Sequence, residues 1–185
     1  MKQNTKAFSL IELMAVIAII GIMSSVLFVS LSSGRTEKHL ENASRQLATD
    51  IRSLQRTVLN GAVPPGITEP ICGFGMRKWM DDYRFFVIIK SDADTRTGTG
   101  CNGAAYGRST ASGNPVTLRD IKSFENGVVL SGTLPDLYFE VPNGKLYVGG
   151  AQNASAEYIL EKDGIEYHVC VSSGGNVEEM GETSC

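Results

Sequence analysis

Between Phe8 and Leu31 the chain runs for 24 residues with a single charge, Glu12. As a helix rising ~1.5 Å per residue, this run is about 36 Å long, enough to cross a hydrocarbon layer of ~30 Å. It is too long for the apolar region of an ordinary secretory signal, and no small-x-small cleavage site follows it. Residues 1–7 are short and polar, with Lys2 and Lys6. Those two cations favour a cytoplasmic amino end; Arg35 and Lys38 act against them, and Glu37 offsets one of these. The expectation is a single-pass anchor with the rest of the chain outside the cytoplasm.

Beyond residue 31 the chain changes character. With 42% hydrophobic and 20% charged residues, the 185-residue chain is neither disordered nor collagen-like. Its lipid-like character is confined to the first 31 residues, which excludes a polytopic membrane protein. The net charge is −3, and beyond residue 34 there remain 15 basic residues (17 less Lys2 and Lys6) against 19 acidic (20 less Glu12). That balance argues against a general nucleic-acid binder.

Glu12 is costly where it stands: a charge at the centre of a membrane helix costs about 2.5–3.5 kcal/mol, and less near the first turn. It belongs to a pattern, Lys6-Ala7-Phe8-Ser9-Leu10-Ile11-Glu12, which leads directly into the apolar run. The pattern resembles the class III signal of type IV prepilins and pseudopilins. The resemblance implies cleavage between Ala7 and Phe8 by a prepilin peptidase and N-methylation of Phe8. The residue before the cut is usually Gly in that family and is Ala7 here. The implied location is the bacterial inner membrane, single-pass, with the globular part extracytoplasmic, and then a pilus or pseudopilus filament. The implied partners are the peptidase, an inner-membrane assembly platform, other pilin or pseudopilin subunits, and membrane lipid before assembly. In an apolar filament core a buried carboxylate needs a cation. The Phe8 amine of a neighbouring subunit would supply it, giving Glu12 a role in assembly register.

From Thr36 to Asn60 apolar residues recur every three or four positions, at Leu40, Ala43, Leu47, Ile51, Leu54 and Val58. This spacing predicts an amphipathic helix with one buried stripe, ended by Gly61 and Pro64-Pro65. Strands are expected over 83–89, 116–124, 128–130, 136–141, 145–148, 157–162, 165–171 and near 176–177. Asn143-Gly144 and Asp163-Gly164 mark two hairpins. The chain divides into a leader (1–7), a membrane or filament-core helix (8–33), an amphipathic continuation (34–61) and a β-rich head (62–185). The fold class is α+β, a long N-terminal helix on an antiparallel sheet. Residues 43–55, and Phe139 with Pro142-Asn143-Gly144 and then Val171-Ser172-Ser173-Gly174-Gly175, resemble the GspH/FimT group of minor pilins and H-type pseudopilins. The resemblance implies a structural subunit of a type IV pilus or a type II secretion pseudopilus. A major pilin would share every feature through residue 31.

Residues 91–115, rich in Gly, Ser, Thr and Asn, read as a long surface loop. The four cysteines allow three pairings, and an extracytoplasmic setting favours disulfides. We expect Cys72–Cys101, tethering the loop, and Cys170–Cys185, pinning the carboxyl end. No CxxC occurs, and His168 with Cys170 on one side of a strand makes a poor metal pair. Asp92-Ala-Asp94 begins like a calcium loop, but Arg96 takes the next ligand position. With only His39 and His168 as histidines, and no nucleophile or phosphate-loop motif, neither an enzyme nor a cofactor is expected. Arg77-Lys78-Trp79 joins two cations to the sole tryptophan, a combination suited to phosphate contact and base stacking. It is the feature a DNA-uptake minor pilin would use; the competing reading is an ordinary loop with Trp79 covering the core.

Overall fold

The computed structural model describes residues 10–68, 70–89 and 115–185, without the side chains of 25–33 and 115–120. The chain separates into two units, Met1–Lys38 and His39–Cys185. One helix, α1 (Leu10–Leu59), passes through both. In the first unit the described apolar side chains from Leu10 to Met23 are exposed.

In the second unit the expected stripe is buried: Leu40, Leu47, Ile51 and Val58 have no exposed surface, and Ala43 and Leu54 almost none. Ser44, between them, donates its hydroxyl to the Glu41 carbonyl within the helix. Gly61 ends α1 in a left-handed conformation (φ +62°). The Ala62 amide donates to Thr57 O at 3.2 Å and the Gly61 amide to Val58 O at 3.1 Å. These two bonds satisfy carbonyls that a helix end otherwise leaves open, and only a residue without Cβ takes the turn at no steric cost.

Ten strands follow among the described residues, in two antiparallel sheets rather than one. The larger sheet has the order β3 (Pro115–Lys122), β2 (Asp82–Ile89), β1 (Ile71–Trp79), β5 (Leu137–Glu140), β6 (Lys145–Val148) and β7 (Ala151–Gln152). The smaller has the order β10 (Val177–Gly181), β9 (Ile165–Val171), β8 (Ala156–Lys162) and β4 (Val129–Ser131). Both contribute to one core with the helical stripe: Phe74, Met76, Val87 and Phe139 from the larger, Tyr158, Leu160, Val169 and Val171 from the smaller. Two sheets let the inner faces of all these strands reach a single helical stripe, which one flat sheet of ten strands could not do.

Strand β1 is absent from the sequence-based expectations. Its apolar alternation, Phe74 and Met76, is interrupted by Gly73 and Gly75. These glycines are filled from neighbouring strands. A Cβ on Gly75 would fall into the ring of Phe86, and one on Gly73 would meet the Tyr138 ring and the Phe139 carbonyl. Phe86 and Tyr138, with Cys72, Ile88 and Tyr147, form a second buried cluster.

The hairpin at Asp163-Gly164 has the expected two-residue form: both residues have positive φ (+52° and +79°), and Lys162 pairs with Ile165. The one at Asn143-Gly144 does not. Glu140 pairs with Lys145, leaving the four residues 141–144 in the turn. Pro142 follows a cis peptide bond and has no amide hydrogen for the ladder, so the strand ends before it. The expected loop over 91–115 lies outside the described residues, apart from Pro115, which begins β3.

Candidate functional site

Ala7 and Phe8 lie outside the described residues. Glu12 falls in the first described turn of α1, where the helix dipole favours an anion. Around it Leu10, Ile11, Leu13 and Met14 are 57–76% exposed, and Ile17, Ile20 and Met23 continue the apolar surface. The exposed positions circle the helix rather than forming a stripe. Among the described residues, no helix is long and apolar enough to cross a membrane; the expected span over 8–31 lies partly outside them.

The carboxyl end is fastened where β8, β9 and β10 meet. Cys170 in β9 is bonded to Cys185, with Cα atoms 5.8 Å apart. Glu157 in β8 pairs across the ladder with Cys170. Its carboxylate accepts the Cys185 amide at 3.0 Å and contacts Nδ1 of His168 at 2.9 Å. His168 is buried. A shallow cavity of about 520 Å³ borders this disulfide, lined by Glu157, Glu178, Met180 and Asn176. Cys72 is also disulfide-bonded; Cys101, its expected partner, lies outside the described residues. So do Asp92, Asp94 and Arg96 of the calcium-like stretch. Among the described residues, no three metal-ligating side chains come together.

Arg77, Lys78 and Trp79 lie on a strand, not in a loop. Alternation along β1 sends Lys78 to the face opposite Arg77 and Trp79. Arg77 makes a forked ion pair with Asp136, with Nε at 3.0 and 2.9 Å from the two oxygens and a terminal nitrogen at 2.5 Å. The Asp136 side chain is only 3% exposed. The guanidinium also lies over the Phe86 ring, 5.2 Å from its centroid. Lys78 donates to the Gly132 carbonyl at 2.6 Å. Trp79 does not cover the core; it is 39% exposed, with the Arg84 guanidinium 3.8 Å over its ring. The three residues thus form no shared cationic surface. Asp136 and Arg84 escape a reading along the sequence, because their partnerships exist only once β1 is paired with β2 and β5.

His39 is half-buried on the flank of α1. Deeper on that helix, Asp50 accepts the Tyr83 hydroxyl at 2.6 Å, and Gln46 reaches the same oxygen at 3.4 Å. Burial first, and then the hydrogen bond to Asp50 and its charge, push the Tyr83 phenol far above its ordinary range. Tyr158 is raised likewise, by burial and then by Asp136. Both are structural phenols locked in the neutral form.

Among the described residues, the largest run of exposed apolar side chains lies on the first unit of α1. No curated protein and no solved structure matches the chain. The prokaryotic N-terminal methylation motif matches residues 2–28, so the chain carries the class III prepilin signal, consistent with the type IV pilin and pseudopilin superfamily.

Proposed function

We propose that the protein is a structural filament subunit, a minor pilin or H-type pseudopilin of a type IV pilus or type II secretion pseudopilus. It is made as a single-pass inner-membrane precursor, cut between Ala7 and Phe8 and methylated on Phe8. It is then packed by the apolar half of α1 into a filament core, in which Glu12 meets the Phe8 amine of a neighbour and fixes the register. The observation that carries this reading is the methylation motif at 2–28, which overlaps a helix whose apolar side chains from Leu10 to Met23 are exposed.

The test is intact mass and amino-terminal analysis after expression with a prepilin peptidase, beside Glu12→Ala. The expected product begins with N-methyl-Phe8, and Glu12→Ala is processed but assembles poorly. A chain that still begins at Met1 would make the segment a plain anchor and end the filament reading.

A further inference from the structure

Asparagine followed by glycine is prone to a spontaneous backbone reaction, because a residue without Cβ leaves its amide nitrogen open to approach. The chain has four such pairs, Asn60-Gly61, Asn102-Gly103, Asn126-Gly127 and Asn143-Gly144; the second lies outside the described residues. Asn60, Asn126 and Asn143 are all exposed, so access of water does not tell them apart. The glycine amides do. The Gly61 amide donates to Val58 O at 3.1 Å in the helix cap, and the Gly144 amide to Glu140 O at 2.8 Å in its turn. The Gly127 amide donates to no acceptor among the described residues. It lies in the turn leading from β3 to β4, where Asn126 and Gly127 both have positive φ (+61° and +73°). Around the place where a Cβ of Gly127 would stand there is open space.

The peptide group between these two residues is also polarised. Its carbonyl, Asn126 O, accepts a hydrogen bond from the Lys162 ammonium at the end of β8. The reaction begins when the Gly127 amide loses its proton, and the negative charge left behind spreads onto that same carbonyl oxygen. A cation donating to the oxygen stabilises the charge as it develops. At Gly61 and Gly144 the opposite holds. An amide proton already shared with a carbonyl is harder to remove, and the nitrogen stays aimed at its acceptor rather than at the preceding side chain.

We propose that Asn126-Gly127 is a self-modification site of the head, promoted by Lys162. The Gly127 nitrogen gives its proton to hydroxide and attacks Cγ of Asn126. The N–Cγ bond forms, the Cγ–Nδ2 bond breaks, and Nδ2 leaves as ammonia with a proton from water. Water then opens the five-membered imide at either carbonyl, leaving an aspartyl or an isoaspartyl residue at position 126. One amide and one water become one carboxylate and one ammonium ion, with no oxidant or cofactor. Either product sets a carboxylate beside the Lys162 ammonium. The isoaspartyl form also adds a carbon to the backbone of the turn that joins the larger sheet to the smaller. This inference stands apart from the filament reading.

The test follows each pair in the purified full chain, held in detergent micelles in mildly alkaline buffer. Peptide masses report deamidation, and an isoaspartyl methyltransferase serves as the probe for the isoaspartyl product. In the folded chain Asn126 is expected to convert several-fold faster than Asn60 and Asn143, and in concentrated urea the three rates should converge. Lys162→Met should slow Asn126 by about two- to fivefold, the effect of one exposed charge on another. It should leave Asn60, Asn143 and the rates in urea unchanged, which loss of structure would not do. Lys162→Arg should keep the original rate. Asn60 or Asn143 converting as fast as Asn126 in the folded chain would overturn the site. An Asn126 rate that Lys162→Met leaves unchanged or raises would overturn the role of Lys162.

Discussion

Arg77→Ala should destabilise the head. The substitution leaves the Asp136 carboxylate, 3% exposed, without the forked guanidinium that neutralises it. Breaking a buried pair from one side costs about 3–5 kcal/mol, because a charge is stranded in a poorly polarisable surrounding. The expected loss at pH 7 is therefore in that range, a fall in melting temperature on the order of 10 °C for a unit of this size. Replacing both partners, Arg77→Met with Asp136→Leu, should recover most of the loss, since apolar groups of similar volume leave nothing unpaired. The assay is urea unfolding of the purified chain at pH 7, followed by circular dichroism. A loss below about 1 kcal/mol at pH 7, in the range of an exposed pair, or a double variant no better than the single, would refute the claim that Arg77 is committed to the fold.

Gly75→Ala should destabilise by about 1–3 kcal/mol, because the added methyl would enter the space of the Phe86 ring; thermal melts check this, and Phe86→Leu in the same chain should relieve part of it. Stability should fall above about pH 10, where the unfolded phenols ionise and the folded ones at Tyr83 and Tyr158 do not. Raised folded values mean that this contribution is complete below pH 10 and is lost as pH rises, by about 1.4 kcal/mol per unit for each tyrosine. Unfolding midpoints between pH 9 and 12 with Tyr83→Phe, which should flatten the decline, measure it. Cys185→Ser should cost about 3 kcal/mol by opening the loop closed to Cys170, 15 residues away, and should expose the tail after Glu182 to carboxypeptidase, read by mass.

What was legible in the sequence divides by the range of the forces involved. The stripe from Leu40 to Val58 and the Gly61 cap follow from helical periodicity and the steric freedom of glycine, both local, and both are found as expected. The Asp163-Gly164 turn is equally local. Asn143-Gly144 misled because a stronger local constraint, Pro142 one residue earlier, removes the amide that a two-residue turn would need. Strand β1 was hidden for a different reason. Its two glycines lower every local measure of strand preference, yet they are required by Phe86 and Tyr138, residues of other strands that fill the missing side-chain volume. A strand defined by what its neighbours place upon it has no signature of its own. The same holds for the cation cluster at Arg77-Lys78-Trp79. Read along the chain it is a patch of charge beside a ring; read across the sheet, Arg77 belongs to Asp136, Lys78 to the Gly132 carbonyl, and Trp79 to Arg84. By contrast, the amino-terminal signal was legible because it is a fixed order of residues within one short stretch. Such a signal needs no tertiary context, and for this reason it carries the functional reading, whereas the pairs Arg77–Asp136 and Tyr83–Asp50 join residues far apart in the chain and leave no local trace.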